Sequence, residues 1–271
     1  MKLGFEGRVA LVTGGGQGVG RQICIELAAE GARVVVNDLF EERAAAVAEE
    51  ITQTGGAAIA IAANICNASE VDAMVQKARD AFGVPVQILV NNAGITAERR
   101  SKGGRTPRFL DMPIEEWAKV IDLNVYGTMH CCRAVLPGMV EQRNGKIINI
   151  ISEAGRVGEA NLAVYSGAKA AISAFGKALA KEHGRDAVTV NSIALGAVSH
   201  EGIKDGPLHI EATLENNELL GKMLGAYPIG KGLGRLSRPD DVSGVVCFLA
   251  SDRAFFITGQ TIGASGGFAM I

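Results

Sequence analysis

The chain has 271 residues, 48% hydrophobic and 21% charged, with a formal net charge of −2. That composition can bury a globular core, and a charge this close to zero gives no field favouring nucleic acid or a membrane surface. No apolar run reaches the roughly 20 residues that a bilayer crossing needs, and residues 1–7 lack the basic and apolar regions of an export signal.

A predicted strand over 8–12 runs into Gly14, Gly15, Gly16, Gln17, Gly18, Val19 and Gly20, which open a predicted helix over 18–30. Glycines there allow a sharp turn and a close backbone approach to a pyrophosphate. The helix N-terminus adds oriented N–H groups and partial positive charge. A glycine cluster alone is weak evidence; its place between a first strand and an amphipathic helix strengthens it. A strand over 33–37 ends at Asp38, 24 residues after Gly14. A carboxylate there can accept both adenosine-ribose hydroxyls and repel a 2′-phosphate, and no basic residue between Gly14 and Gly20 offsets it. NAD is therefore expected over NADP. The alternative is that Asp38 caps the predicted helix 41–54, whose first turn holds Glu41 and Glu42.

The alternation continues with strand 58–62, helix 68–82 and strand 88–91. Residues 96–111 break it, carrying Arg99, Arg100, Lys102, Arg105 and Arg108 against Glu98 and Asp111, a local +3. Helix 113–142, strand 146–151, helix 164–184 and strand 188–193 follow. A long connection, 197–236, contains one helical pattern over 210–225; connections of that length are usually lids or binding loops. Helix 239–250 and strand 260–263 complete the chain. Gly31, Gly55, Gly83 and Gly184 stand where helix C-terminal glycines belong. The strands are apolar and β-branched, as strands covered on both faces are. Strand–helix alternation implies right-handed crossovers and a parallel sheet. The expected fold is α/β: a single doubly wound Rossmann domain over 1–271, with a seven-stranded parallel sheet between two helix layers.

Tyr165 and Lys169 lie four residues apart in helix 164–184, so the phenol and the ammonium share one face. A nearby cation favours phenolate and pulls a tyrosine pKa below about 10. Such a tyrosine can exchange a proton with an alcohol or a ketone near neutral pH. The spacing is weak evidence alone and gains force downstream of the nucleotide fingerprint. The five cysteines, Cys24, Cys66, Cys131, Cys132 and Cys247, show no metal-ligand spacing. An odd count without an export signal points to a reducing cytoplasm.

Together these residues resemble the short-chain dehydrogenase/reductase family over nearly the whole chain. Thr13-Gly14-x-x-x-Gly18-x-Gly20 looks like its cofactor motif, and Asn91-Asn92-Ala93-Gly94 like its strand-four motif. Asn124 matches its helix asparagine, and Ser152 stands 13 positions before Tyr165, the family's spacing. The resemblance implies that Tyr165 is the general acid/base, that Lys169 tunes it and holds the nicotinamide ribose, and that Ser152 orients the substrate oxygen. Asn124 would anchor a water relaying protons. Gln17, Val19, Asn64, Ile65, Asn91 and Val198 would line the NAD site, and no metal is needed.

Departures from the family pattern are Asn64 for the usual Asp, Leu195 for Pro, Ser265 for Asp, and His200 for a Thr that orients the carboxamide. His200 has three open placements: replacing that Thr, facing substrate, or pointing into solvent. The family's substrate pocket implies roles for the loop after strand four, the segment from Ser152 to Tyr165 and the lid. Arg99, Arg100 and Arg105 in the first, Glu153 in the second and His200 in the lid are the candidate substrate residues. The basic loop suits an anionic or coenzyme A thioester substrate; a solvated loop, an oligomer contact, or a neutral cyclic or aromatic alcohol are the alternatives. The resemblance also implies a homotetramer, which the small residues Ala168, Ala170, Ala171, Ser173 and Ala174 would permit.

Overall fold

The computed structural model describes residues 3–95 and 106–271. Seven strands form one sheet: β1 (Val9–Val12), β2 (Arg33–Asp38), β3 (Ala57–Ala62), β4 (Ile88–Asn91), β5 (Gly145–Ser152), β6 (Val188–Leu195) and β7 (Thr261–Ala264). Their order is 3-2-1-4-5-6-7, and every pairing is parallel. This is the predicted doubly wound arrangement. Side-chain alternation divides each strand between two cores. Ala10, Val12, Val34 and Val36 face one layer, made by α1 (Gly18–Ala29), α2 (Glu41–Gln53) and α10 (Pro239–Ala250). Val9, Leu11 and Val35 face the other, made by α3 (Ala68–Phe82), α5 (Gly127–Gln142) and α7 (Ala163–His183). Both faces are therefore covered, which is why the strands read as continuous apolar runs. Strand order reverses between β1 and β4, and the crevice at their carboxyl ends is where open α/β sheets take ligands.

Three predicted helices change in detail. The helix expected over 113–142 is interrupted: α4 (Ile114–Ile121) passes through a π-helical turn, Asp122–Tyr126, before α5 begins. Asn124 Nδ2 donates to Val120 O (3.0 Å), and Thr128 Oγ1 donates to Asn124 O (2.9 Å), so side chains stabilise the widened turn. Trp117, on α4, stacks on Phe109 with ring centroids 5.1 Å apart. The helix expected over 210–225 is shortened to α8 (Glu218–Leu224). Asn217 caps it, accepting from Leu220 N, while Thr213 and Asn216 tie the preceding residues into a turn. Gly184 does not end α7 in a left-handed conformation. It continues into a 3-10 turn, and Ala187 takes the positive φ of 59°.

Two short helices lie outside the predicted elements, α6 (Ala154–Val157) and α9 (Pro228–Leu233). Over the lid, Leu220, Leu224 and Leu236 form a small separate core with Leu208, Met223 and Tyr227. The Tyr227 hydroxyl accepts from Ala197 N (3.1 Å), and its ring stacks on Phe268 at 5.1 Å. Among the described residues no helix is long and apolar enough to cross a membrane. All five cysteines are free.

Candidate active site

The glycine turn after β1 is held from two sides. Thr13 Oγ1 accepts from Asn92 N (3.0 Å) and Ala93 N (3.1 Å), while Asn92 Nδ2 donates to Thr13 O and Gly14 O, both at 3.0 Å. This staple joins the ends of β1 and β4 across the switch point. A Cβ at Gly20 would lie 2.1 Å from Gly14 O, so the turn closes only with hydrogen at that position. On the other side Asp38, 7% exposed, accepts from Gly16 N through Oδ2 and from Phe40 N through Oδ1, both at 3.2 Å. Asp38 thus ends β2 beside the turn, and Phe40, not Asp38, is the residue flanking α2. The Arg43 guanidinium lies 4.3 Å above the Phe40 ring, and Arg43 Cβ closes on Gly16. Glycine donors, the α1 N-terminus and a buried carboxylate beside them fit a dinucleotide.

The catalytic candidates come from three elements. Lys169, one turn along α7 from Tyr165, is 5% exposed; its Nζ donates to Ile150 O on β5 (2.9 Å) and lies 5.7 Å from the centre of the Tyr165 ring. Burial pushes the Lys169 pKa down to about 8. At pH 7 a group of pKa 8 is still charged about ten to one, so the cation is retained beside the phenol. A Cβ at Gly94 would sit 2.7 Å from Lys169 Nζ and 2.8 Å from Asn124 Oδ1, so that glycine lets β4, the π turn and α7 converge. Asn124 Oδ1 is buried and meets no hydrogen-bond partner among the described residues. An orphaned acceptor facing an ammonium suits a bridging water.

Ser152 closes β5, and its Oγ accepts from Ala154 N (3.1 Å). A Cβ at Gly155 would lie 2.8 Å from Lys169 Cβ, so α6 packs tightly on α7 and carries Ser152 to the tyrosine's helix.

The remaining expected residues spread around this centre. Asn64 Oδ1 accepts from Cys66 N (3.0 Å), which leaves its amide as the outward donor. Ile65 is buried; its Cδ1 lies 2.8 Å from a Cβ position at Gly127. Asn91 is buried and donates to Asn149 Oδ1 (2.9 Å) within the sheet. Val198 pairs with Ser237 at the lid's root. His200 packs on Gly18 of the dinucleotide turn. Glu153 is 1% exposed and is paired with Arg156 Nη1 at 3.1 Å, not presented to an open cleft. Arg156 also reaches Ile271 O, and a Cβ at Gly263 of β7 would meet the Glu153 carboxylate at 2.7 Å. Arg99, Arg100, Lys102 and Arg105 lie outside the described residues. The stapling role of Asn92 was not read from the sequence, although the residue stands inside the quoted motif.

The chain is similar to known proteins over nearly its whole length. Residues 8–205 match the family model for short chain dehydrogenase. A 3-oxoacyl-[acyl-carrier-protein] reductase of Synechocystis sp. is 41% identical over 267 residues, 97% of each chain. The Staphylococcus aureus 3-oxoacyl-[acyl-carrier-protein] reductase FabG is 38% identical over 262 residues, 96% of this chain and 98% of the relative. The (2S)-[(R)-hydroxy(phenyl)methyl]succinyl-CoA dehydrogenase subunit BbsD of Thauera aromatica is 36% identical over 265 residues, 98% of each. The chain belongs to the short-chain dehydrogenase/reductase family of oxidoreductases.

Proposed function

We propose that this protein interconverts a secondary alcohol and a ketone with NAD as hydride partner, on an anionic or coenzyme A thioester hydroxy/oxo substrate. The observation that carries the reading is the buried Lys169 ammonium beside Tyr165, with the unpartnered Asn124 oxygen close by. Bound NAD supplies or accepts the hydride at nicotinamide C4. Tyr165 gives its hydroxyl proton to the ketone oxygen in reduction and takes it back in oxidation. Lys169 holds the phenolate charge. Ser152 Oγ already accepts from Ala154 N, so its own O–H is left to donate to the substrate oxygen. Asn124 Oδ1 anchors the water through which Lys169 exchanges its proton with solvent. Asp38 takes the ribose hydroxyls and excludes a 2′-phosphate, which supports NAD over NADP.

The substrate class draws on two facts. The segment 96–111 carries a local +3, and the relatives named above act on thioesters of acyl carrier protein or coenzyme A. The Thauera name joins a phenyl-bearing alcohol to a coenzyme A thioester, which supports the thioester class and not the alternative of a neutral cyclic or aromatic alcohol. We also propose a homotetramer in a reducing cytoplasm. Ala170, Ala171 and Ala174 are exposed along α7, whereas Ala168 is buried and Ser173 hydrogen-bonds Thr261; free thiols suit that compartment.

The test follows absorbance of reduced nicotinamide with a 3-hydroxyacyl-coenzyme A ester and its N-acetylcysteamine analogue, each far below saturation. Faster turnover of the coenzyme A ester is expected; equal rates remove the charge role. NADH binding with no turnover on any thioester or secondary alcohol would favour a non-catalytic sensor instead.

A further inference from the structure

The turn that carries Ser152 into α6 is built around a buried charge. Glu153 is 1% exposed, and Arg156 Nη1 donates to both of its carboxylate oxygens, at 3.2 and 3.1 Å. The carboxylate fills a space that a glycine leaves open: a Cβ at Gly263 of β7 would lie 2.7 Å from Glu153 Oε1 and 3.1 Å from Arg156 Nη1. The main chain of Glu153 is held as well. Its N–H donates to Leu195 O on β6 (2.9 Å), and its carbonyl accepts from Arg156 N (2.8 Å) and Val157 N (2.9 Å).

A buried ion pair adds little net stability, because both charges give up solvent. A helix of four residues is also too short to hold itself. What the pair fixes is direction. α6 begins at Ala154, whose N–H donates to Ser152 Oγ at 3.1 Å. That bond sets the rotation of the serine side chain, and so where its own O–H points. Glu153 stands between that donor and that acceptor in the chain, so a shift of its side chain tilts α6 and misaims the serine.

We propose that Glu153 is a positioning residue for Ser152. Seated against Gly263 and locked by Arg156, it holds Ala154 N where that donor turns the serine hydroxyl toward the substrate oxygen. Glu153 itself touches no substrate. The assignment rests on the role proposed above for Ser152 and deepens it, by placing its support in β7, more than a hundred residues further along the chain.

The experiment places Glu153→Gln and Gly263→Ala in the wild-type and the Ser152→Ala backgrounds. The first removes the charge and leaves Arg156 unpaired; the second keeps both charges and pushes the carboxylate from its seat. Thermal melts set a temperature at which every variant is folded. Turnover of a 3-hydroxyacyl-coenzyme A ester and NADH binding by fluorescence are then measured. With Ser152 present, each variant should lower kcat by about tenfold, as for a misaimed transition-state donor, while KM and NADH affinity stay within about twofold. In the Ser152→Ala background, followed at high enzyme concentration, neither variant should lower kcat further. A purely structural role would lower kcat by the same factor in both backgrounds and overturn the proposal. Unchanged kcat in either variant with Ser152 present, or NADH affinity falling in step with kcat, would overturn it too. Absent turnover in the wild-type protein, or near-normal kcat in Ser152→Ala alone, would remove the serine's proposed role and this assignment with it.

Discussion

Two lysines are buried at opposite ends of the sheet, Lys146 at the start of β5 and Lys169 against its far end. Loss of solvent pushes both down to about 8. Their surroundings differ. Lys169 donates to Ile150 O and faces Tyr165 and Asn124. Lys146 is fully buried, lies 4.0 Å above the Phe255 ring, and finds no hydrogen-bond partner among the described residues. Arg8 and Asp252, themselves paired, perturb it in opposite senses. A depressed pKa therefore does not mark a catalytic group by itself. The discriminating feature is the company each keeps: Tyr165 and the unpartnered Asn124 oxygen lie beside Lys169, whereas Lys146 lies against the Phe255 ring and an Arg8–Asp252 pair.

Breaking the catalytic end should cost most. Tyr165→Phe should lower kcat by about a thousandfold, the usual scale for a lost general acid, with NADH binding by fluorescence nearly intact; near-normal turnover would remove Tyr165 from the mechanism. Lys169→Met comes next, with roughly a hundredfold loss in kcat/KM. Its pH profile sharpens the comparison. The Lys169 cation is present below about pH 8 and lost above it, so wild-type kcat/KM for NAD should show an alkaline limb there. Methionine should abolish that limb, whereas Lys146→Met should leave it untouched. Asp38→Ala is expected to shift the NADP-to-NAD ratio of kcat/KM by about tenfold or more toward NADP, through a lost charge repulsion and lost ribose contacts; unchanged kinetics with both cofactors would count against the ribose role.

The smallest effect belongs to the other end and has the opposite sign. Lys146→Met should stabilise the fold at pH 7 by about 1–2 kcal/mol, because a buried charge without a hydrogen bond costs more than a packed apolar chain. The unfolded chain binds the extra proton between about pH 8 and the ordinary 10.5, so wild-type stability should rise across that window. The gain from methionine should then shrink as pH climbs, which melts at pH 7 and pH 10 would reveal. A loss of stability at pH 7 would mean that the Phe255 contact outweighs the desolvation.

What the sequence made legible follows from period and motif. Strand runs such as 33–37 and 88–91 are apolar because both faces are covered, and the glycine turn announces itself by composition. The π turn at Asp122–Tyr126 was not legible, because its cause is a pair of side-chain bonds from Asn124 and Thr128 that leave the apolar period unbroken. The lid is less legible for a related reason. Asn217, Thr213 and Asn216 end the helical pattern with local bonds that compete with helix, while residues 210–225 keep helical periodicity. At the candidate site the chain could name Glu153 as a neighbour of Ser152 but could not aim it. Its direction is set by Arg156 and by the space left at Gly263, far away in sequence.

Trp117 is the chain's single tryptophan, and it stacks on Phe109 one helical segment before Asn124. Its ultraviolet emission therefore comes from one address, on the helix that leads into the π turn carrying Asn124. Nucleotide and thioester titrations can be followed there without a label, and any rearrangement of that aromatic pair registers as a change in colour or brightness.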